Sequence, residues 1–218
     1  MKNRFALFLI ILGIHSGLDA LTWDKMTIEA SPMDGDASVT VDFRYTNKTA
    51  QPVTITKAFS SCSECTTLLW EEKEIAPGES GTLVASVKVS GINGRKTKYI
   101  TVATTEKKPF PDRLSLTVVM PEKLKFSEKK LRWGPGEKTA KAITINTSLP
   151  DAVPYIVQVT PEGVFSVNLT PANQAGTGHV LTITPLEADG PPRRASVRIG
   201  IKASDGAEYF ENIAATHL

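Results

Sequence analysis

Apolar and polar residues alternate one by one along most of this chain. In Val39-Thr-Val41-Asp-Phe43-Arg-Tyr45-Thr the odd positions are apolar and the even ones polar. A strand with that pattern buries one face and wets the other. The same alternation runs through Leu83, Ala85, Val87 and Val89, and through Leu114, Leu116, Val118 and Met120. It returns in Ile143 and Ile145, in Tyr155, Val157 and Val159, and in Phe165, Val167 and Leu169. Leu181 and Ile183, then Val197, Ile199 and Ile201, complete the series. The 3.6-residue spacing of an amphipathic helix hardly occurs. Turn-forming clusters punctuate the runs: Met33-Asp-Gly-Asp36, Ala76-Pro-Gly-Glu79, Gly91-Ile-Asn-Gly94, Gly134-Pro-Gly136, Pro191-Pro192 and Asp205-Gly206. Short strands at turn intervals of about 8–12 residues predict an all-β protein built of sandwiches.

The 218 residues are more than one small core needs and suit two domains of about 100 residues each. The halves also resemble one another in order. Thr22-Trp23 matches Arg132-Trp133, and Lys96 to Val102 matches Arg193 to Ile199. The expectation is two tandem immunoglobulin-like β-sandwich domains, residues 21–121 and 122–218, jointed near Pro121 to Lys123.

Residues 1–20 read as a signal peptide. Lys2 and Arg4 supply a positive start, Phe5 to Ile14 is apolar throughout, and Ala20 is a small residue at the expected cut. The apolar run is half the roughly 20 residues that a bilayer-spanning helix needs, so no membrane span is predicted in the mature protein. The protein is expected to be exported, to the periplasm or the outside of a bacterial cell. A formal net charge of +2 gives no field strong enough to imply nucleic acid or a membrane surface as partner.

Five motifs follow one another in the first half: Phe43-Arg-Tyr45-Thr-Asn47, Pro52-Val-Thr-Ile55, Ser61-Cys62-Ser-Glu-Cys65-Thr66, Pro77-Gly-Glu-Ser80 and Gly94-Arg-Lys-Thr-Lys98. In this order they resemble a bacterial family of exported proteins, domain of unknown function fifteen-seventy-three, over about residues 38–120. The resemblance implies an immunoglobulin-like fold of the Hydin and major-sperm-protein type, an export route, and no established activity. Two residues separate the cysteines here, where the family usually has one.

Cys62 and Cys65 are the one candidate for chemistry. In an oxidising compartment they are expected to form a local disulfide that pins the loop after Val53–Phe59. Two alternatives remain. Cys-x-x-Cys is the motif of thiol–disulfide exchange, although such sites use a helix N-terminus and Glu64 disfavours a thiolate. Two thiolates could also hold Cu(I), whereas zinc wants four ligands and the mature chain has only His179 and His217 besides.

No cofactor is expected and no catalytic set can be assembled, so the chain reads as a non-enzyme. Its partner is expected to be a protein or a cell-envelope polymer. Lys123, Lys125, Lys129, Lys130 and Arg132 form a basic stretch at the joint, a candidate contact for an anionic envelope polymer, with Leu124, Phe126 and Leu131 alternating through it. Asn47, Asn146 and Asn168 begin Asn-x-Ser/Thr triplets of no expected consequence in a bacterial export route. Asp34-Gly-Asp36 reads as a hairpin turn, since it lacks the acidic ladder of a calcium loop.

Overall fold

The computed structural model describes residues 21–33, 35–106, 110–171, 178–187 and 190–218. The predicted export signal, 1–20, and Asp34 of the first turn lie outside the described residues. Among the described residues there is no helix; they form strands, turns and connections.

Two sheets enclose the first core. One runs in the order β1 (Leu21–Trp23), β3 (Ser38–Asn47), β7 (Ser80–Lys88), β5 (Thr66–Leu69). The other runs β2 (Thr27–Ala30), β9 (Asp112–Val119), β8 (Arg95–Thr104), β4 (Val53–Ser60), β6 (Glu74–Ile75). The second core repeats the plan. One of its sheets is β10 (Leu124–Phe126), β12 (Lys141–Thr147), β15 (His179–Pro185), β14 (Phe165–Pro171), and the other is β11 (Lys130–Trp133), β17 (Glu208–His217), β16 (Arg193–Lys202), β13 (Tyr155–Thr160).

This is the strand order of an immunoglobulin sandwich, an A-B-E-D sheet facing a G-F-C sheet. In each half the second strand crosses to the opposite sheet and pairs parallel to the last one, β2 with β9 and β11 with β17. Every other pairing is antiparallel. The chain is therefore all-β and immunoglobulin-like.

The alternation seen in the sequence does what a period of two requires. Phe43, Leu83, Ile100, Leu114 and Leu116 fill the first core, and Trp133, Ile143, Ile145, Leu181, Val197 and Ile199 the second. Each such side chain contributes about 1.5–3 kcal/mol by leaving water. Along β13 the expectation fails. A bulge between Ile156 and Gln158 shifts the parity, so Ile156 and Val159 turn toward the core while Tyr155 and Val157 stand exposed. The two Trp-bearing segments also occupy different strands. Trp23 lies on β1 opposite Tyr45, whereas Trp133 lies on β11 opposite His217, and the strand matching β1 is β10. The match of Lys96–Val102 with Arg193–Ile199 holds, since these are β8 and β16, the same strand of the plan.

Two turns share one device. In Ala76-Pro-Gly-Glu79 the Glu79 carboxylate accepts from Ala76 N–H at 2.9 Å, and Glu79 N–H donates to Ala76 C=O at 2.9 Å. In Gly134-Pro-Gly-Glu137 the Glu137 carboxylate accepts from Gly134 N–H at 2.9 Å, and Glu137 N–H donates to Gly134 C=O at 3.1 Å. Gly78 and Gly136 sit at φ 80° and 74°, where a Cβ would be strained.

Candidate functional site

The family-like motifs spend their polar atoms on the fold. Phe43, Tyr45 and Asn47 share the inward face of β3, and Asn47 is fully buried. Its amide donates to Gln51 C=O and Ile75 C=O, each at 2.8 Å, and its Oδ1 accepts from Thr49 N–H at 2.9 Å. Its backbone N–H donates to Glu79 C=O, and its C=O accepts from Gly78 N–H. One residue, through its side chain and its backbone, thereby ties the loop after β3 to the Pro-Gly-Glu turn. The same burial leaves the triplet at Asn47 without a free amide.

The cysteines lie at a crossover. Ser60 is the last residue of β4 paired with β8, and Ser61 N–H still donates to Tyr99 C=O at 2.8 Å. Five residues after Ser61, Thr66 begins β5, which belongs to the opposite sheet, and Cys65 C=O accepts from Lys88 N–H at 2.9 Å. Cys62 and Cys65 lie at disulfide distance, with Cα atoms 5.5 Å apart. Each is half-buried, and the Glu64 between them is exposed. A bond here clamps the strand that leaves one sheet to the strand that enters the other. Among the described residues no three His, Cys, Asp or Glu side chains gather in a way that could hold a metal ion. His217 is buried and its Nε2 lies 3.0 Å from Glu137 C=O; His179 is buried too.

The predicted basic stretch does not form one surface. Leu124 and Phe126 belong to β10, Leu131 to β11, and the chain changes sheets between them. A strand change breaks the parity that a continuous alternation assumes. Lys123 precedes β10, and its backbone N–H donates to Asn93 Oδ1 at 2.7 Å. Lys125 is exposed on β10. Lys129 lies 3.5 Å from Glu211. Only Lys130 and Arg132 stand together, both exposed on β11.

The sequence gives no hint of the cluster between the two cores. Asn93, 2% exposed, lies in the connection from β7 to β8. Its amide donates to Leu124 C=O at 2.8 Å and to Glu211 Oε1 at 3.1 Å, and its Oδ1 accepts from Leu124 N–H at 2.9 Å. Glu211, 6% exposed on β17, also receives Lys96 at 2.5 Å. Burial alone would raise the Glu211 pKa. The hydrogen bonds from Lys96 and Asn93, with the charges of Lys96 and Lys129, outweigh it and hold the carboxyl below its ordinary value.

A group whose folded pKa is depressed stabilises the fold above its unfolded pKa and loses that contribution as pH falls through the folded one. The Glu211 contribution is thus present above the free glutamate value of about 4.3 and is lost in acid below it. Thermal melts of the parent and of Glu211→Gln are expected to differ clearly at pH 6 and to converge toward pH 3. An equal gap at both values would show that ionised Glu211 contributes nothing.

A surface depression of about 530 Å³ lies by Tyr45, Trp70, Glu71 and Lys73. Its charges already answer one another, since Lys73 bonds Glu71 at 2.8 Å and Glu79 at 3.0 Å. No described helix is long and apolar enough to cross a membrane.

Residues 21–120 match the model of a family described as Protein of unknown function (DUF1573). No curated protein matches the chain. Among solved structures, a protein of unknown function from Porphyromonas gingivalis W83 is 14% identical, with 91% of this chain and 99% of that one covered and a TM-score of 0.36. The CupB2 chaperone of Pseudomonas aeruginosa is 13% identical, covering 88% of this chain and 99% of that one at TM-score 0.35. A tandem pair of titin immunoglobulin domains is 6% identical, covering 91% and 97% at TM-score 0.31. The strand order described above, and not these overlaps, carries the fold class.

Proposed function

We propose that this chain, whose residues 21–120 match that family, is an exported, non-catalytic binding or structural module of the bacterial cell envelope. Residues 1–20 act as the export signal. Residues 21–121 and 122–218 act as two sandwich modules joined through Asn93 and Glu211. The observation that carries the reading is where the polar atoms of the family-like motifs go. Asn47 and Glu79 bond to backbone, and Lys96 bonds to Glu211. The cysteine pair sits at a sheet crossover with no helix among the described residues, and no third described His, Cys, Asp or Glu joins it in a group that could hold a metal ion. Rigid sandwiches whose outer faces remain free suit binding.

Cys62 and Cys65, in this reading, form a structural disulfide. Closing a loop with a sequence separation of 3 stabilises the fold by about 2 kcal/mol. Replacing both with serine is expected to cost about that much and to leave envelope partners unchanged. The intact mass of the protein from its own envelope, with and without thiol alkylation, supplies a second signal. A mature chain lacking residues 1–20, two hydrogens light and inert to alkylation, is the expected result. Thiols that alkylate in the native protein, copper that travels with it, or loss of all partner binding in the double serine variant would overturn the reading. A thiol-redox or copper role would take its place.

A further inference from the structure

Lys130 and Arg132 are two positions apart on β11 and so point to the same side of the sheet. Lys130 pairs with Ala214 and Arg132 with Thr216 of β17, and Thr216 pairs in turn with Arg194 of β16. Arg132, Thr216 and Arg194 therefore make one row across three strands. The two arginine positions stand two strand spacings apart, roughly 9.6 Å. Between them lies a trough of about 360 Å³, lined by Lys130, Arg132, Arg194, Ala214 and Thr216, with Leu218 at one end. The small side chains of Ala214 and Thr216 leave its floor low.

Farther along the same face, Arg198 pairs with Asn212 and stacks over the Phe210 ring, 4.4 Å from its centroid. Tyr155 stands beside Phe210, and both rings lie against Gly200, where a Cβ would meet them at 2.8 and 3.0 Å. The face thus runs along β17 from Thr216 through Ala214 and Asn212 to Phe210, a length of roughly 20 Å. Lys130, Arg132, Arg194 and Arg198 are exposed, and no ion pair among the described residues uses them. The nearby acids are Glu208, which receives the Tyr155 hydroxyl at 3.2 Å, and Glu128 at the lip beside Lys130.

We propose that this trough binds an acidic polysaccharide that carries carboxylates. The proposal rests on the envelope-module reading and names the ligand of one face of it. Four cations against two carboxylates, Glu208 and Glu128, set the sign of the partner. Guanidinium forks match carboxylates in pairs, which point charges do not. The choice of a sugar over an acidic peptide follows from the backbone. β17, the floor of the trough, is bonded on both sides, to β11 and β16, and on the edge strand β11 the Arg132 C=O already accepts from Lys141 Nζ, so the trough floor offers no open strand edge of the kind on which a peptide docks. What the face offers is charge and the exposed ring of Tyr155, against which the C–H face of a pyranose stacks.

The test uses the full mature chain with polygalacturonate, its uncharged methyl ester and poly-glutamate of equal charge, by titration calorimetry at low and moderate salt. Polygalacturonate is expected to bind, to weaken with salt, and to exceed the other two. R132E/R194E is expected to lose about tenfold per arginine, with R132Q/R194Q intermediate and all melting midpoints unchanged. K125E, a cation of the same stretch on the other sheet, is expected to bind like the parent. Absent binding, binding unchanged in R132E/R194E, or K125E weakening it equally would overturn the proposal. So would tighter binding of poly-glutamate. None of these results touches the mass and alkylation signals, so failure here leaves the module reading standing.

Discussion

Asn93→Ala is expected to cost about 3–5 kcal/mol and to split a single unfolding transition into two. Asn93 bonds the N–H and C=O of Leu124 and the Glu211 carboxylate in a nearly dry place. Alanine removes every one of those partners and lets no water in to replace them, and each stranded buried group costs about 1–3 kcal/mol. The loss falls on the contact between the two cores and spares their interiors. Calorimetry should thus show the parent melting once, with calorimetric and van't Hoff enthalpies equal, and the variant melting in two steps. Asn93→Asp is a sharper version, because it keeps the acceptor, removes the donors and sets a second carboxylate against Glu211. A single transition shifted by less than about 1 kcal/mol in both variants would mean that the cores do not stabilise one another.

The second large effect is expected at Trp133. It is fully buried, its ring lies 5.1 Å from that of Phe165, and its indole N–H donates to Thr139 C=O at 2.7 Å. Trp133→Ala removes the largest side chain of the second core and is expected to cost about 3–5 kcal/mol. For a unit of about 100 residues that lowers the melting midpoint by upward of roughly 15 °C. The first core should keep its own signature, the near-ultraviolet circular dichroism of Trp23 packed edge-on to Tyr45 at 5.2 Å. A loss below about 1 kcal/mol would place Trp133 outside the core, and loss of the Trp23 signal at the same midpoint would mean that the Asn93 contact holds the two cores together even when the second is weakened.

The long strands could be read from the chain because each repeats its period several times. β3, β7, β9 and β16 run 8 to 10 residues, and their buried apolar side chains fall where alternation puts them, with Thr117 and Gly200 the additional buried positions. Strands of three or four residues, such as β1, β10 and β11, hold too few periods to be told apart. That is why Trp23 and Trp133 look alike in sequence and occupy different sheets. In β13 one bulged residue reverses inside and outside, and nothing in Tyr155 to Val159 announces it.

The cysteine pair was legible as a local pair because its partners are neighbours. The cluster of Asn93 and Glu211 was not, since 118 positions separate the two. The basic stretch was half legible. Lys130 and Arg132 are where a basic surface forms, but its third wall, Arg194, comes from a strand more than sixty residues later. The kinship of β8 and β16, visible in the repeat, was the one clue to it.

The parallel pairs β2–β9 and β11–β17 carry a mechanical consequence. In each, the strand near the start of a sandwich lies beside the strand that ends it, over four registered residues. A pull that draws those two strands apart lengthwise loads the hydrogen bonds between them in shear, so they must break together. Antiparallel strands pulled from their free ends open one bond at a time, like a zip. Each sandwich thus has a latch against tension along the chain, and a load borne by one passes to the other along the backbone between Val119 and Leu124.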